Sequence, residues 1–139
     1  MSPTEQTVIA FFTALSAGDL SAVAALCQPD LTWTTMIDGI PGAGMHEGRD
    51  QVLYEFIGPV RALFKPGDPK VHIDRMIASG STVVCETHAT GERADGRPYN
   101  NRYAWVFEFR DGKAAVIREY MDSLYVARFF DMIPSTPAP

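Results

Sequence analysis

Cysteine is scarce in this chain: its 139 residues contain only two, Cys27 and Cys85. Two distant cysteines give neither the density of a disulfide-rich scaffold nor the close spacing of a zinc site. We therefore expect both thiols to be reduced and buried, as is usual in cytoplasmic proteins. The three histidines are not spaced like metal ligands either, so we expect no metal site.

Positive charge and long apolar runs are scarce as well. The sequence has 12 Lys and Arg against 17 Asp and Glu, a net charge of -5, and contains no basic cluster. Because clustered Lys and Arg bind phosphates, we expect no nucleic acid partner. The apolar runs are too short to span a bilayer, so we expect no membrane partner. Residues Met1 to Glu5 lack the basic start and apolar segment of a secretory signal, which favours a cytoplasmic location.

Helix signals occupy the first half of the chain. Ser2, followed by Pro3 and Glu5, has the pattern of a capping box at a helix start. Gly18 ends that helix, and Asp19 is placed to cap a second one. A third helix is predicted over residues 49–64, with Gly58-Pro59 dividing it.

Strand signals occupy the second half, and the length fits a single domain over residues 1–139. Short turns make the strands antiparallel neighbours. Four candidates follow residue 70: Val71 to Ala78, Thr82 to Thr90, Tyr99 to Arg110 and Lys113 to Tyr120. Helices followed by strands predict an α+β fold, a cone-shaped barrel with three N-terminal helices packed on a curved antiparallel sheet. The proline-rich end, residues 133–139, is predicted to be a mobile tail.

The last two strands carry the strongest sign of a binding site. They meet at Asp111-Gly112, a strong hairpin signal. Side chains two apart on a strand share one face. On the first of these strands that face carries Asn101, Tyr103 and Trp105, and on the second it carries Glu119 between Ile117 and Met121. A face that mixes amide, phenol, indole and carboxyl groups predicts the wall of a pocket for a small, mostly apolar molecule.

A second set of candidates concerns proton transfer. Glu86 and His88 share a face of one strand, as Glu119 does with its neighbours on another. If both faces point inward, His88 lies near two carboxyls and is a candidate general base, with Glu119 as acid or orienting group. The alternative is that His88 lies on the outer face, paired with Glu86 across solvent.

Two further residues have open interpretations. Asp122 follows the last strand and has the sequence position either of a cavity residue or of a cap for the segment after it. His46 belongs to a predicted loop, residues 38–48, that is placed to cover the cavity mouth. Neither residue decides between an enzyme and a binding protein.

Three segments of the chain resemble the nuclear transport factor two-like superfamily, and within it SnoaL-like proteins and limonene-epoxide hydrolases. They are Phe12 to Asp19, Gly48 to Asp50, and the hairpin from Asp111 to Asp122. The resemblance covers roughly residues 4 to 130. It implies a single SnoaL-like domain that works without a cofactor and is a homodimer.

The resemblance also places known catalytic positions on this sequence. The steroid-isomerase positions fall on Phe11, Thr35 and Trp105, which lack the required functional groups. The water-holding Tyr and Asn of limonene-epoxide hydrolases fall on Trp33 and Thr35. The catalytic Asp-Arg-Asp trio of those hydrolases falls on His88, Glu86 and Glu119. Glu119 keeps the carboxyl group of its position, and the other two positions hold different ionisable residues.

Three functions of different classes follow from the residues and the resemblance. The first is a cofactor-independent enzyme acting on a small hydrophobic molecule, either epoxide hydrolase-like or polyketide cyclase/isomerase-like. The second is a non-catalytic protein of the same fold that binds a small hydrophobic ligand. The third is an accessory or interaction domain whose cavity is vestigial. Trp33 and Trp105 provide an apolar wall in the first two cases and do not distinguish them.

Overall fold

The computed structural model describes residues 1–133, so the predicted mobile tail, apart from residue 133, lies outside the described residues. The chain begins with the predicted capping box. The amide of Glu5 donates to Ser2 Oγ, and the Glu5 carboxylate accepts from the Ser2 amide. Asp19 caps the second helix by accepting from the amide of Ala22 at 3.1 Å. These side chains satisfy backbone N–H groups that a helix start leaves without partners.

Five helical segments are present in the described part of the chain. They are α1 (Pro3–Ser16), α2 (Leu20–Ala25), a π-helical segment (Gln51–Ile57), α3 (Gly58–Arg61) and α4 (Ser123–Phe129). The third predicted helix is shorter than expected and changes from π-helix to α-helix at Gly58, where a division was predicted. Asp122 caps α4 by accepting from the amide of Tyr125 at 3.1 Å, which decides its role in favour of the cap.

Six strands form one sheet in the order β2-β1-β6-β5-β4-β3. They are β1 (Cys27–Thr35), β2 (Gly44–Glu47), β3 (Lys70–Ser79), β4 (Thr82–Glu92), β5 (Pro98–Arg110) and β6 (Lys113–Met121). The four strands after residue 69 are antiparallel, as predicted, and Asp111-Gly112 makes the tight turn between β5 and β6 with positive φ at both residues.

Three features of the sheet differ from the sequence prediction. β1 is parallel to β6, so the sheet is not wholly antiparallel. The predicted loop contains β2, which pairs with β1. The sheet has two edges and does not close into a barrel. The α+β class and the packing of helices on a curved sheet are confirmed.

An aromatic cluster fills the space between α1 and the concave face of the sheet. Phe11 and Phe12 of α1 lie with their ring centroids 5.1 Å from Phe107 and Trp105 of β5, respectively. Trp33 of β1 joins them, 5.6 Å from Trp105. Most of these contacts are edge-to-face, the arrangement that aromatic quadrupoles favour. The cluster therefore anchors the helical layer to two strands, β1 and β5.

Cys27 and Cys85 are buried and free, as the sequence indicated. Burial raises the pKa of each thiol to about 12, so both behave as small apolar groups rather than nucleophiles. Within residues 1–133, no helix is long and apolar enough to cross a membrane.

Truncating the cluster tests its role in stability. Phe107 is fully buried, so Phe107→Ala should lower the free energy of unfolding by roughly 3–5 kcal/mol, through lost burial and the cavity left behind. Tyr54 is 51% exposed, and Tyr54→Ala is the matched control, expected to change it far less. Urea titration followed by tryptophan fluorescence measures both, and equal effects would contradict this account of the core.

Candidate functional site

A cavity of about 140 Å³ lies between the concave face of the sheet and the helical segment formed by residues 51–61. Its wall is mainly apolar and draws on both layers, including Leu15, Ile37, Phe56, Val71, Trp105 and Met121. An apolar cavity of this order of size holds a ligand about as large as one aromatic ring. Among the described lining residues, only Glu119 and Arg61 carry charge.

Glu119 is the carboxyl group of this wall. It lies on β6, directly opposite Trp105 of β5, and next to Thr35 of β1. The indole Nε1 of Trp33 donates a hydrogen bond to Glu119 Oε1 at 3.0 Å. Burial raises the pKa of Glu119 to about 7, although the Trp33 hydrogen bond opposes that shift. Near neutral pH the carboxyl therefore exists in both protonation states, as a general acid or base requires.

Two tyrosines present their hydroxyl groups beside Glu119. Tyr103 on β5 is a diagonal cross-strand neighbour of Glu119, since it pairs with Met121. Its hydroxyl is hydrogen-bonded to that of Tyr99. Burial raises the pKa of Tyr99 to about 12 and moves that of Tyr103 well above its usual value. Both phenols thus stay protonated and are available as hydrogen-bond donors.

Asn101 also takes part in this group of hydrogen bonds. Its Nδ2 donates to the Tyr99 hydroxyl oxygen at 3.2 Å, so Tyr99 already accepts one bond. If Tyr99 then donates to Tyr103, the Tyr103 proton is left to point into the cavity. The opposite direction would leave the Tyr99 proton without an acceptor among the described residues. Either direction makes the same number of hydrogen bonds and leaves one phenol proton free; in the first, the free proton is that of Tyr103, which can donate to a ligand oxygen.

Thr35 adds a hydroxyl group that the protein does not satisfy. The residue is 4% exposed, it contributes to the cavity wall, and its Oγ1 has no hydrogen-bond partner within the described residues. A buried hydroxyl without a partner costs about 1–3 kcal/mol. Its place beside Glu119 makes it a second polar group near the carboxyl.

The structure brings most of the sequence-predicted pocket residues together. Those on the cavity wall are Trp33, Thr35, Tyr103, Trp105, Glu119 and Met121. Their alternation along β1, β5 and β6 explains the result, because side chains two apart on a strand share a face. Their roles in binding stay predictions.

The predicted proton-transfer group is wrong for two of its three members. Glu86 is exposed, and the His88 side chain, 37% exposed, lies on the outer face of the sheet. There His88 Nδ1 is 2.9 Å from Asp74 Oδ1, and its ring stacks on His72. Between residues 83 and 89 of β4, the side chains that face inward are the odd-numbered ones. The prediction therefore assigned Glu86 and His88 to the wrong face of the strand.

Two predicted ligand-binding residues lie behind the wall rather than on it. Asn101 is 2% exposed and uses its amide on Tyr99 and on the carbonyl of Asp122. It therefore positions a tyrosine of the wall and is not itself among the residues that line the cavity. Ile117 is fully buried in the core with the aromatic cluster. His46 lies on β2, where its ring stacks on Phe56, a residue of the wall, at 3.9 Å.

Sequence reasoning missed two polar residues of the wall. Tyr99 has the same parity on β5 as Tyr103, so strand alternation contained the signal. Arg61 follows Ile57 by four residues, the spacing of one helical face. Because Gly58-Pro59 was expected to divide the helix, the sequence did not indicate that Ile57 and Arg61 share one face.

Comparison with known proteins agrees with this architecture. A family model described as SnoaL-like domain matches residues 8–117. The chain belongs to the SnoaL-like domain family. Among curated proteins, none matches this SnoaL-like chain at a significant level. Solved structures place it in the NTF2-like superfamily, as the sequence resemblance indicated.

Three solved structures illustrate the range of similar proteins. An NTF2-like protein of unknown function from Burkholderia pseudomallei is 27% identical, with 93% of this SnoaL-like chain and 98% of that chain covered and a TM-score of 0.82. TerC, co-crystallised with polyporic acid, is 19% identical, with 94% and 99% covered and a TM-score of 0.82. A protein from Jannaschia sp. described as a SnoaL-like polyketide cyclase is 18% identical, with 95% and 94% covered and a TM-score of 0.79.

The two buried threonines of this SnoaL-like domain give a matched test of the wall. Thr35→Val removes a hydroxyl without a partner and should raise the free energy of unfolding by about 1 kcal/mol. Thr87→Val removes the acceptor of the Trp105 Nε1–H bond at 3.0 Å and should lower it by roughly 1–3 kcal/mol. Chemical denaturation measures both. The same sign for the two variants would contradict the assignment of partners.

The raised pKa of Glu119 predicts a pH dependence of stability. A carboxyl whose pKa is raised in the folded state favours folding fully below its unfolded pKa, and this contribution is lost as pH rises through about 7. Glu119→Gln should remove that loss, so its stability relative to the wild type should grow between acid and neutral pH, by on the order of 1–3 kcal/mol.

The control for this measurement is Glu86→Gln, since Glu86 is exposed on β4. Its stability should follow that of the wild type at every pH. Unfolding curves at several pH values give the comparison. A Glu119→Gln curve parallel to that of the wild type would show that the carboxyl titrates normally.

Proposed function

We propose that this protein is a cofactor-independent enzyme that moves a proton on a small apolar carbonyl compound, in an isomerisation or an intramolecular cyclisation. Glu119 is the acid-base group and Tyr103 the hydrogen-bond donor to the developing oxyanion. The observation that carries the proposal is a single carboxyl with a pKa of about 7, held by Trp33 in an otherwise apolar wall. Catalytic acids and bases are tuned to such values by burial.

The proposed step needs no external reactant. Ionised Glu119 takes a proton from the carbon next to the carbonyl, and the electron pair of that C–H bond moves to form an enolate. The enolate oxygen accepts a hydrogen bond from Tyr103, as in other sites that stabilise an oxyanion. Glu119 then returns the proton to another carbon of the enolate, which completes an isomerisation.

Cyclisation uses the same groups in a different last step. The enolate carbon attacks a second carbonyl carbon of the same molecule, so a carbon–carbon bond forms and that carbonyl oxygen becomes an alkoxide. The proton held by Glu119 passes to the alkoxide. Solved structures of this fold include one described as a polyketide cyclase and one co-crystallised with polyporic acid, which supports an oxygenated carbon skeleton as ligand.

Epoxide hydrolysis fits the cavity less well. Opening an epoxide with water uses a base for the water and an acid for the epoxide oxygen. Glu119 is the single carboxyl among the described residues of the wall. The other two candidates for proton transfer, Glu86 and His88, lie outside the cavity. The polar groups near Glu119 are hydroxyls and an indole, which donate hydrogen bonds and do not act as bases near neutral pH.

Proton exchange at carbon tests the proposal without knowledge of the natural substrate. Small aryl ketones, beginning with acetophenone, are incubated with the protein in deuterated water, and mass spectrometry follows deuterium uptake. Exchange should rise with pH through about 7 as Glu119 ionises and fall to the uncatalysed level in Glu119→Gln. Tyr103→Phe should lose about 10²–10³ in rate.

Glu86→Gln is the matched carboxyl control and should keep the wild-type rate. Exchange that survives in Glu119→Gln would refute the proposed base. Binding of the ketones with no exchange would favour a non-catalytic ligand-binding protein. A parallel incubation with small epoxides in ¹⁸O-labelled water decides the hydrolase alternative, which predicts labelled diol.

A further inference from the structure

Arg61 is the one cationic side chain among the described residues that line the cavity. It ends α3, is only partly exposed, and is held by two backbone carbonyls. Its Nη1 donates to the carbonyl oxygen of Pro69 at 3.0 Å, and its Nη2 donates to that of Ser16 at 3.2 Å. Both acceptors are neutral. A guanidinium has five N–H groups, so three are left for other partners.

No carboxylate of the described residues forms an ion pair with Arg61, whereas Arg93 pairs with two carboxylates and Arg118 with one. Asp68 is near enough to favour the charge of Arg61, but burial outweighs it and lowers the pKa of Arg61. Asp68 itself contacts Lys70 at 3.5 Å and the amide of Glu92 at 3.0 Å. A buried charge without a counter-ion is costly, so an anion beside Arg61 would be stabilised.

Arg61 and Glu119 belong to different walls of the cavity. Arg61 is bonded to Pro69, next to the start of β3, while Glu119 is on β6. Two strands lie between β3 and β6 in the sheet. At about 4.8 Å per strand, the sheet positions are separated by roughly 14 Å along its surface, and by less across the concave side. The cavity-lining side chains on those two strands, β4 and β5, are Ala89, Tyr99, Tyr103 and Trp105, so the wall between the charged groups is largely aromatic.

We infer that the substrate of this site is a carboxylate: a small apolar molecule whose acid group binds Arg61 while its reacting carbonyl faces Glu119 and Tyr103. This inference rests on the proposed function and names its substrate class. A carboxylate matches the planar fork of a guanidinium, which recognises two oxygens at once. The largely aromatic wall between the charged groups fits the hydrocarbon part of such a molecule. Arg61 is thereby the residue that selects acids over neutral analogues.

Two probe ligands of nearly equal shape, one an anion and one neutral, show how much the charge of the ligand contributes to binding. Isothermal titration calorimetry compares 3-phenylpropionate with 3-phenylpropanamide at neutral pH. The wild type should bind the acid about tenfold more tightly than the amide, the effect of one charge-assisted hydrogen-bonded contact. Added salt should weaken binding of the acid and leave binding of the amide unchanged.

Two variants of Arg61 separate recognition from structure. Arg61→Gln should reduce the preference for the acid to about one, with the affinity for the amide kept. Arg61→Lys keeps a positive charge and should keep part of the preference. Melting temperatures are measured for both, because either change disturbs the bonds to Ser16 and Pro69. A purely structural role would lower the melting temperature and leave the ratio of the two affinities as in the wild type, which would overturn the inference.

The wild-type comparison decides the matter even if neither variant folds. Equal affinity for acid and amide, or no binding of the acid, would overturn the inference. Amide binding in that case leaves the proposed apolar site intact. A preference for the acid that Arg61→Gln abolishes would support the carboxylate site, while deuterium exchange that persists in Glu119→Gln would separately refute the proposed base.

Discussion

The geometry of this protein depends on the aromatic contact between α1 and the concave face of the sheet. Phe11 and Phe12 meet Phe107 and Trp105 edge to face, and Phe11 meets Trp33 at a tilt. Rings of this size hold the helix at a fixed distance from two strands, β1 and β5. The space beyond them is therefore left as a cavity. Trp33 and Trp105 belong both to this cluster and to the cavity wall, so the packing of the core also determines the shape of the wall.

The electrostatics of the cavity wall follow from the small number of charged side chains in it. One carboxyl and one guanidinium lie among mostly apolar side chains, and each is held by neutral hydrogen-bonding groups: Glu119 by an indole, Arg61 by two carbonyls. Neither group forms an ion pair within the described residues. The two charges therefore give the cavity a field that runs from one wall to the other.

Strand alternation made much of this predictable. The turn at Asp111-Gly112 and the polar-aromatic pattern of β5 and β6 placed Tyr103, Trp105 and Glu119 correctly on one face. The parity of β4 was misjudged, because Glu86 and His88 suit either a site or a solvated surface. Local pattern also does not reveal which distant strand pairs with β1, since the parallel contact with β6 depends on tertiary packing. The burial of Asn101 behind Tyr99 and the inward position of Arg61 are likewise three-dimensional facts.

The parallel pairing of β1 with β6 has a consequence for how the chain folds. Trp33 and Glu119 are 86 positions apart, and the strands that carry them come from the two ends of the sequence. Contacts so distant along the chain form late, because a long loop must close first. On the ribosome α1, α2 and β1 emerge long before β6. Until the last hairpin docks, β1 has an unpaired side and its apolar residues lack their cover. The wall that carries Trp33 and Glu119 is thus completed late in folding.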